Sequence, residues 1–195
     1  DELEKADDFD MALHDFIKRT MSEHKRIIFS GNGYSEEWVE EAERRGLPNL
    51  KCGIDSVDSL ITDKAIRLFE SFGVYIRAEL ESRAEIEYES YAKTVNIEAK
   101  TMIDMAGKQI IPAVIRYTAN LAESLTAVQT ACPEADTSVQ KELLLEASDL
   151  LSDMKTALAR LTEETEKAAK VEGNKERAYA YHDIVTAAME ELRRL

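Results

Sequence analysis

The residues able to carry chemistry in this chain are few, and their spacing limits what they could do. Gly31-Asn32-Gly33 lies between the β-branched and aromatic run Arg26-Ile27-Ile28-Phe29 and a helix start at Ser35, which is where a phosphate cradle would sit. A Walker loop would end in Gly-Lys-Ser/Thr, and a dinucleotide loop would need a third glycine where Glu36 stands, so the segment reads as a turn capped by Ser35. Metal sites in helical bundles use Glu-x-x-His pairs or histidines four apart, because those spacings share one helix face. Neither spacing occurs around His14, His24 or His182. Glu85, Glu87 and Glu89 are two apart and diverge on a helix. Glu85 with Glu89, or Glu163 with Glu166, could hold a hydrated cation weakly, but phosphoryl chemistry also needs an ordered nucleotide phosphate. Cys52 adjoins the cation of Lys51, a setting for a nucleophilic thiol, yet no histidine neighbours it in sequence, and it reads as unreactive. Asn96 and Glu98 interrupt a long apolar seam, either as a buried hydrogen-bonded network or as the seam rotating outward. No catalytic, cofactor-binding or metal-binding residue is assigned.

The elements that would position these groups are helices. Seven glycines and three prolines among 195 residues are about 5% of the chain where roughly 12% is usual, and that shortage starves turns and hairpins. With 44% hydrophobic and 33% charged residues, the chain has material for one domain or slightly more. Its formal net charge of -14 repels phosphate backbones and anionic headgroups, so nucleic acid and membrane are excluded as expected partners. No apolar run approaches the roughly 18 residues of a membrane span, and Asp1-Glu2-Leu3-Glu4 is acidic where a signal peptide is basic. Cys52 and Cys132 are too few for a disulfide framework or a four-cysteine zinc site, which points to a reducing cytoplasm. The first methionine is Met11, so the chain reads as part of something longer.

Along the chain, apolar spacing of threes and fours from Leu3 to Thr20 predicts a first helix, with Glu2, Asp7 and Asp8 at its start. Ser35 starts a second helix that Gly46 and Pro48 end, and Asp55 or Ser56 starts a third, running through Phe69 to Gly73. From Leu80 to Val128 the spacing is sustained for about seven heptads, one very long helix or two in line, with a kink or break between Ala106 and Pro112. Thr137 and Gln140 have capping-box spacing before the seam Leu143, Ala147, Leu150, Met154, Ala157, Leu161. A last helix carries Ala178, Tyr181, Val185, Ala188, Leu192 and Leu195. The expected fold is all-α, with a smaller helix-turn-helix unit over 1–73 followed by a long antiparallel helical bundle over 74–195.

Two stretches resemble type III glutamine synthetases, and a third does so more weakly. The first is His24-Lys25-Arg26-Ile27-Ile28-Phe29-Ser30-Gly31-Asn32-Gly33-Tyr34-Ser35-Glu36-Glu37-Trp38-Val39, continuing to Glu43-Arg44-Arg45-Gly46-Leu47. It is similar to the segment after the catalytic core, where the family usually has asparagine at the place of Ser30. The second runs through Ala78-Glu79-Leu80, Ser82-Arg83, Glu85-Ile86, Tyr91, Asn96-Ile97-Glu98-Ala99, Thr101 to Ala106 and Ile111-Pro112-Ala113-Val114. The weaker third, Tyr181 and Asp183 through Ala188-Met189 to Leu192-Arg193, has Ala187 where proline is expected.

The resemblance implies a bacterial, cytoplasmic parent enzyme that joins glutamate and ammonia through a γ-glutamyl phosphate, using ATP and Mg. It also implies a parent built of stacked hexameric rings, a dodecamer. The family's metal, nucleotide and glutamate motifs would lie upstream of Asp1, so no catalytic residue carries over, and the fragment is expected to be inactive with no cofactor of its own. Its partner would be the upstream catalytic domain of the same chain, and its role structural or in subunit assembly. If Ile27, Ile28, Phe29 and Trp38 rest on that absent core, they leave an apolar surface in the fragment. Two rivals remain. A free-standing helical adaptor would show a groove for a partner, and an enzyme within the bundle would converge perturbed carboxylates or histidines on a pocket.

Overall fold

The computed structural model describes residues 3–195, and every regular element among them is helical. Glu2, counted among the acids of the first helix, lies outside the described residues. The chain divides into two units between Lys51 and Cys52.

The first unit contains α1 (Phe9–Glu23) and α2 (Glu36–Arg44), with a single 3-10 turn at Lys25–Ile27. Apolar spacing places the start of α1 at Leu3, but the helix begins at Phe9, because Asp8 is extended and its carboxylate accepts the Met11 N–H at 3.0 Å. That cap satisfies one of the backbone donors that a helix start leaves without an intrahelical partner. The β-branched run forms no strand, since no strand among the described residues offers it a ladder. Gly46 ends α2 with φ +72°, its own N–H and that of Leu47 returning to the carbonyls of Glu43 and Ala42, both at 2.9 Å. None of residues 3–51 is buried.

The second unit starts with α3 (Gly53–Leu60) and α4 (Asp63–Ser71), where the spacing suggests one helix. Thr62 separates them: its backbone is extended and its hydroxyl accepts the Ala65 N–H at 3.3 Å, starting a new helix inside a continuing apolar pattern. Ile54 and Val57 of α3 are buried in the same core as α5, so the division between units falls before Cys52 and not after residue 73.

The long helix follows as α5 (Arg77–Met105), a π turn at Ala106–Ile110, and α6 (Ile111–Ala131). The departure signalled by Gly107 and Pro112 is this π turn, through which the helix continues, with Ile111 N–H donating to the Ala106 carbonyl. Pro112 has no N–H to give, and a widened turn accommodates the missing donor. The chain reverses into α7 (Ser138–Ala168), then α8 (Asn174–Ala180), a second π turn at Tyr181–Val185, and α9 (Thr186–Arg193). The capping box of Thr137 and Gln140 is not made. Thr137 is buried and accepts from Gln129 Nε2 at 3.2 Å, while Asp136 caps Ser138 N–H at 2.9 Å.

Burial follows the seams. Leu80, Ala84, Tyr88, Ala92, Val95 and Ala99 of α5 are buried, as are Ala157, Leu158 and Leu161 of α7, and Ala178, Tyr181, Val185, Ala188 and Leu192 of the last segment. Contacts pair α5 with α8, α7 with α9, and α6 with α7. The unit is therefore a three-helix bundle whose third member is α8 to α9. Past the end of α9, α6 and the first half of α7 continue as a two-helix arm in which no residue of α6 is buried.

Candidate functional site

The glycine loop of the first unit is closed by its own hydrogen bonds. Asn32 Oδ1 accepts Tyr34 N–H at 3.0 Å, and the Asn32 carbonyl accepts both the Ser35 N–H at 3.2 Å and the Ser35 hydroxyl at 2.8 Å. Ser35 thus stands at the N-cap of α2 but spends its hydroxyl as a donor and makes no side-chain cap. Gly31 is needed because Phe29 lies on it: an added Cβ would come within 2.4 Å of the phenyl ring. Phe29 in turn stacks on Trp38, with ring centroids 4.5 Å apart, and the Arg45 guanidinium lies 6.0 and 5.9 Å from the two rings. Arg45 also donates to the Arg26 and Ile28 carbonyls at 2.6 and 2.9 Å and pairs with Glu41. Hydrogen bonds from Arg45 and then Arg44 hold the Glu41 carboxyl below its usual range. The loop therefore closes a small knot of its own residues. Ile27 and Ile28 stay exposed beside it, while Phe29 and Trp38 are half-buried against each other.

In the second unit the polar centre is Asp58 of α3. It accepts from the Tyr88 hydroxyl of α5, from the Tyr179 hydroxyl of α8 at 3.0 Å, and from Lys175 Nζ at 2.7 Å. Burial pushes the Asp58 carboxyl up, but the bonds from Lys175, Tyr88 and Tyr179 together outweigh it and leave the group below its usual value. The phenols move the other way. Burial first, then the Asp58 carboxylate, raises Tyr88 and pushes Tyr179 up to about 12. Sequence reasoning missed this cluster, although tyrosines in an apolar seam, such as Tyr88 and Tyr179, signal that a hydroxyl needs a partner.

Next to it, the half-buried Cys52 sulfur lies 3.8 Å from the Tyr91 hydroxyl, which burial and then this thiol raise above its ordinary value. A histidine does reach the neighbourhood: the His182 ring stands 6.1 Å from that of Tyr91 and 6.2 Å from that of Tyr179. Its Nδ1 is bonded to Asp183 at 2.7 Å, and no nucleophile and base pair is formed with Cys52. His14 lies exposed beside Asp15, and His24 closes α1.

The carboxylates go to separate partners. Glu85 accepts from Asn174 Nδ2 at 2.8 Å, Glu89 pairs with Lys93 at 2.7 Å, Glu163 pairs with Lys167 at 2.8 Å, and Glu87 and Glu166 are exposed. Among the described residues no three His, Cys, Asp or Glu side chains converge to hold a metal ion.

Two clefts remain. One, of about 260 Å³, is lined by Glu89, Lys93, Asn96, Arg177 and Tyr181, and in this unit Asn96 Oδ1 is buried without a hydrogen-bond partner. The larger, an open groove of about 700 Å³, lies where α9 ends against the π turn of the long helix. Four of the six methionines, Met102, Met105, Met154 and Met189, line it with Ile110 and Leu192, and Glu98 and Arg193 are the charged groups in its wall. Glu98 is thus exposed at the groove while Asn96 turns to the smaller cleft, so the two polar interruptions of the seam face different sites. Such a flexible thioether surface suits an apolar segment. No helix among the described residues is long and apolar enough to cross a membrane.

Comparison with known proteins identifies the family. A family model described as glutamine synthetase C-terminal domain matches residues 12–129, more than half the chain, from α1 through most of α6. A glutamine synthetase of Butyrivibrio fibrisolvens is 35% identical over 97% of this chain and 27% of its own length. A type-3 glutamine synthetase of Dictyostelium discoideum is 37% identical over 60% of this chain and 16% of its own, and a glutamine synthetase of Bacteroides fragilis (strain YCH46) 33% over 94% and 26%. The chain spans about a quarter or less of the length of these curated relatives.

Proposed function

The chain belongs to the glutamine synthetase C-terminal domain family, and from that premise we propose that it is a noncatalytic helical part of a type III enzyme, serving contacts within the assembled parent. The parent's activity, on this reading, is the ATP-dependent ligation of glutamate and ammonia in the cytoplasm, with Mg and ATP held by the upstream catalytic domain. The parent is a homo-oligomer of stacked hexameric rings.

The observation that carries the reading is the amount of apolar surface left uncovered. None of residues 3–51 is buried, yet α1 presents Phe9, Phe16, Ile17 and Met21, all of them exposed. A surface of this kind is normally covered by another part of an assembly. The test of the noncatalytic half is an assay of the chain with glutamate, ammonium, ATP and magnesium. No glutamine above background is expected, because among the described residues no three metal-ligating side chains converge and the glycine loop is closed by its own hydrogen bonds. Glutamine formation that follows the protein through size exclusion and falls on substitution of Glu98 or Asp104 would overturn it.

A further inference from the structure

Within the bundle, α9 fills the lane between α5 and α7. Past Arg193 the same lane continues between α6 and the first half of α7, and no third helix lies in it among the described residues. Its floor is apolar: Ile110, Tyr117, Val139, Leu143 and Leu150 are 38 to 62% exposed, and Met154 leads into the methionine-lined groove. Heptad spacing puts Leu143 and Leu150 on the face that Ala157 turns toward Leu195. We propose that this lane is the contact between two copies of the chain, packed with their arms antiparallel so that each arm's tip reaches the groove of the other. The proposal deepens the assembly role above and rests on it.

Three features select a second copy as the occupant. The first is length. The lane is as long as the arm, since α6 with 21 residues spans about 31 Å, so an inverted arm fills its partner's lane and the two arms form a four-helix bundle. The second is charge. The copies carry -14 each and repel wherever their charge is presented, yet α6, with no buried residue, holds only Arg116 and Glu123 among its 21 residues. These two cancel. The third is the flank. Glu142, Glu146, Asp149 and Asp153 form an acidic row that borders the lane, with Asp153 in the cleft shared by Ala157 and Leu195, so the charge-poor α6 of an inverted copy is the part that lies against it without like-charge repulsion. A strip about 31 Å long and about 10 Å wide on each copy totals about 620 Å², below the roughly 1,200 Å² of a stable interface, so the pairing is weak and reversible.

The test is sedimentation equilibrium of the 195-residue chain from micromolar to near-millimolar concentration. A monomer and dimer equilibrium is expected, weakened at least tenfold by Leu150→Glu and by Tyr117→Lys, with helicity by circular dichroism retained. Leu145→Glu, on the other side of α7, leaves it unchanged. Cys132 at the arm's tip is exposed, so a benzophenone maleimide placed there in a Cys52→Ser background should photocrosslink to peptides of a second copy containing Met105, Met154 or Leu195. A chain that stays monomeric, association that survives both lane variants, or crosslinks elsewhere would overturn the pairing. The two readings fail separately. If removing residues 52–195 alters the parent's assembly while the isolated chain stays monomeric, the assembly role stands and the arm pairing falls.

Discussion

Replacing Asp58 with alanine should strip three donors of one acceptor. Tyr88 is 1% exposed, so its hydroxyl would be left in the core without a partner, at a cost of about 1–3 kcal/mol. Tyr179 and Lys175 reach solvent and lose much less, because water replaces the carboxylate. The expected loss is therefore about 2 kcal/mol, nearly all of it from Tyr88, which lowers a urea midpoint by about 1 M for a typical dependence on denaturant. In a Tyr88→Phe background the buried hydroxyl is absent, and Asp58→Ala should cost less than half as much. The assay is urea unfolding followed by circular dichroism on all four proteins of this cycle. Additive effects, or a single-mutant loss below about 0.5 kcal/mol, would refute the assignment of Asp58 as the hub.

The same cluster sets pH limits. A carboxyl whose native pKa lies below its ordinary 3.8 stabilises the fold above that pH, and the contribution fades as pH falls through the lowered value. Tyr179, raised from 10 to about 12, contributes below pH 10 and loses its contribution as pH rises through about 12.

Two other outcomes are expected. Gly107→Ala should stabilise the bundle by about 0.5–1 kcal/mol, since φ there is not positive and the added Cβ would meet Leu158 at an ordinary 3.8 Å; thermal denaturation reads the sign. Trp38, the only tryptophan, reports on a unit without a buried residue, so its fluorescence should change at lower urea than the helical circular dichroism, and coincident transitions would contradict the division into two units.

The long helices were legible because burial on one face leaves a three-four period, and the buried positions of α5 and α7 repeat that period. Trouble near Ala106 was legible too, since Gly107 and Pro112 both weaken a helical turn. The second π turn, Tyr181–Val185, contains neither residue, and nothing local marks it. Thr62 was hidden because apolar residues continue across it, from Ile61 to Ile66. Asp58 could not be read as a hub, because its partners Tyr88 and Tyr179 lie 30 and 121 residues away. Glu36 weighs against a phosphate role for the glycine loop in the sequence alone, but the room the loop leaves for the Phe29 ring depends on a side-chain position that spacing does not encode.

The central claim, that this helical chain serves assembly and not catalysis, is tested most directly by the native mass of the full-length parent enzyme with and without residues 52–195. Sedimentation velocity on both proteins, at matched subunit concentration, reads it. The intact enzyme is expected to sediment as its full assembly and the truncated enzyme to shift to smaller particles. Truncated enzyme that keeps the intact native mass while losing glutamine formation would contradict the claim and place the chain's contribution in the chemistry.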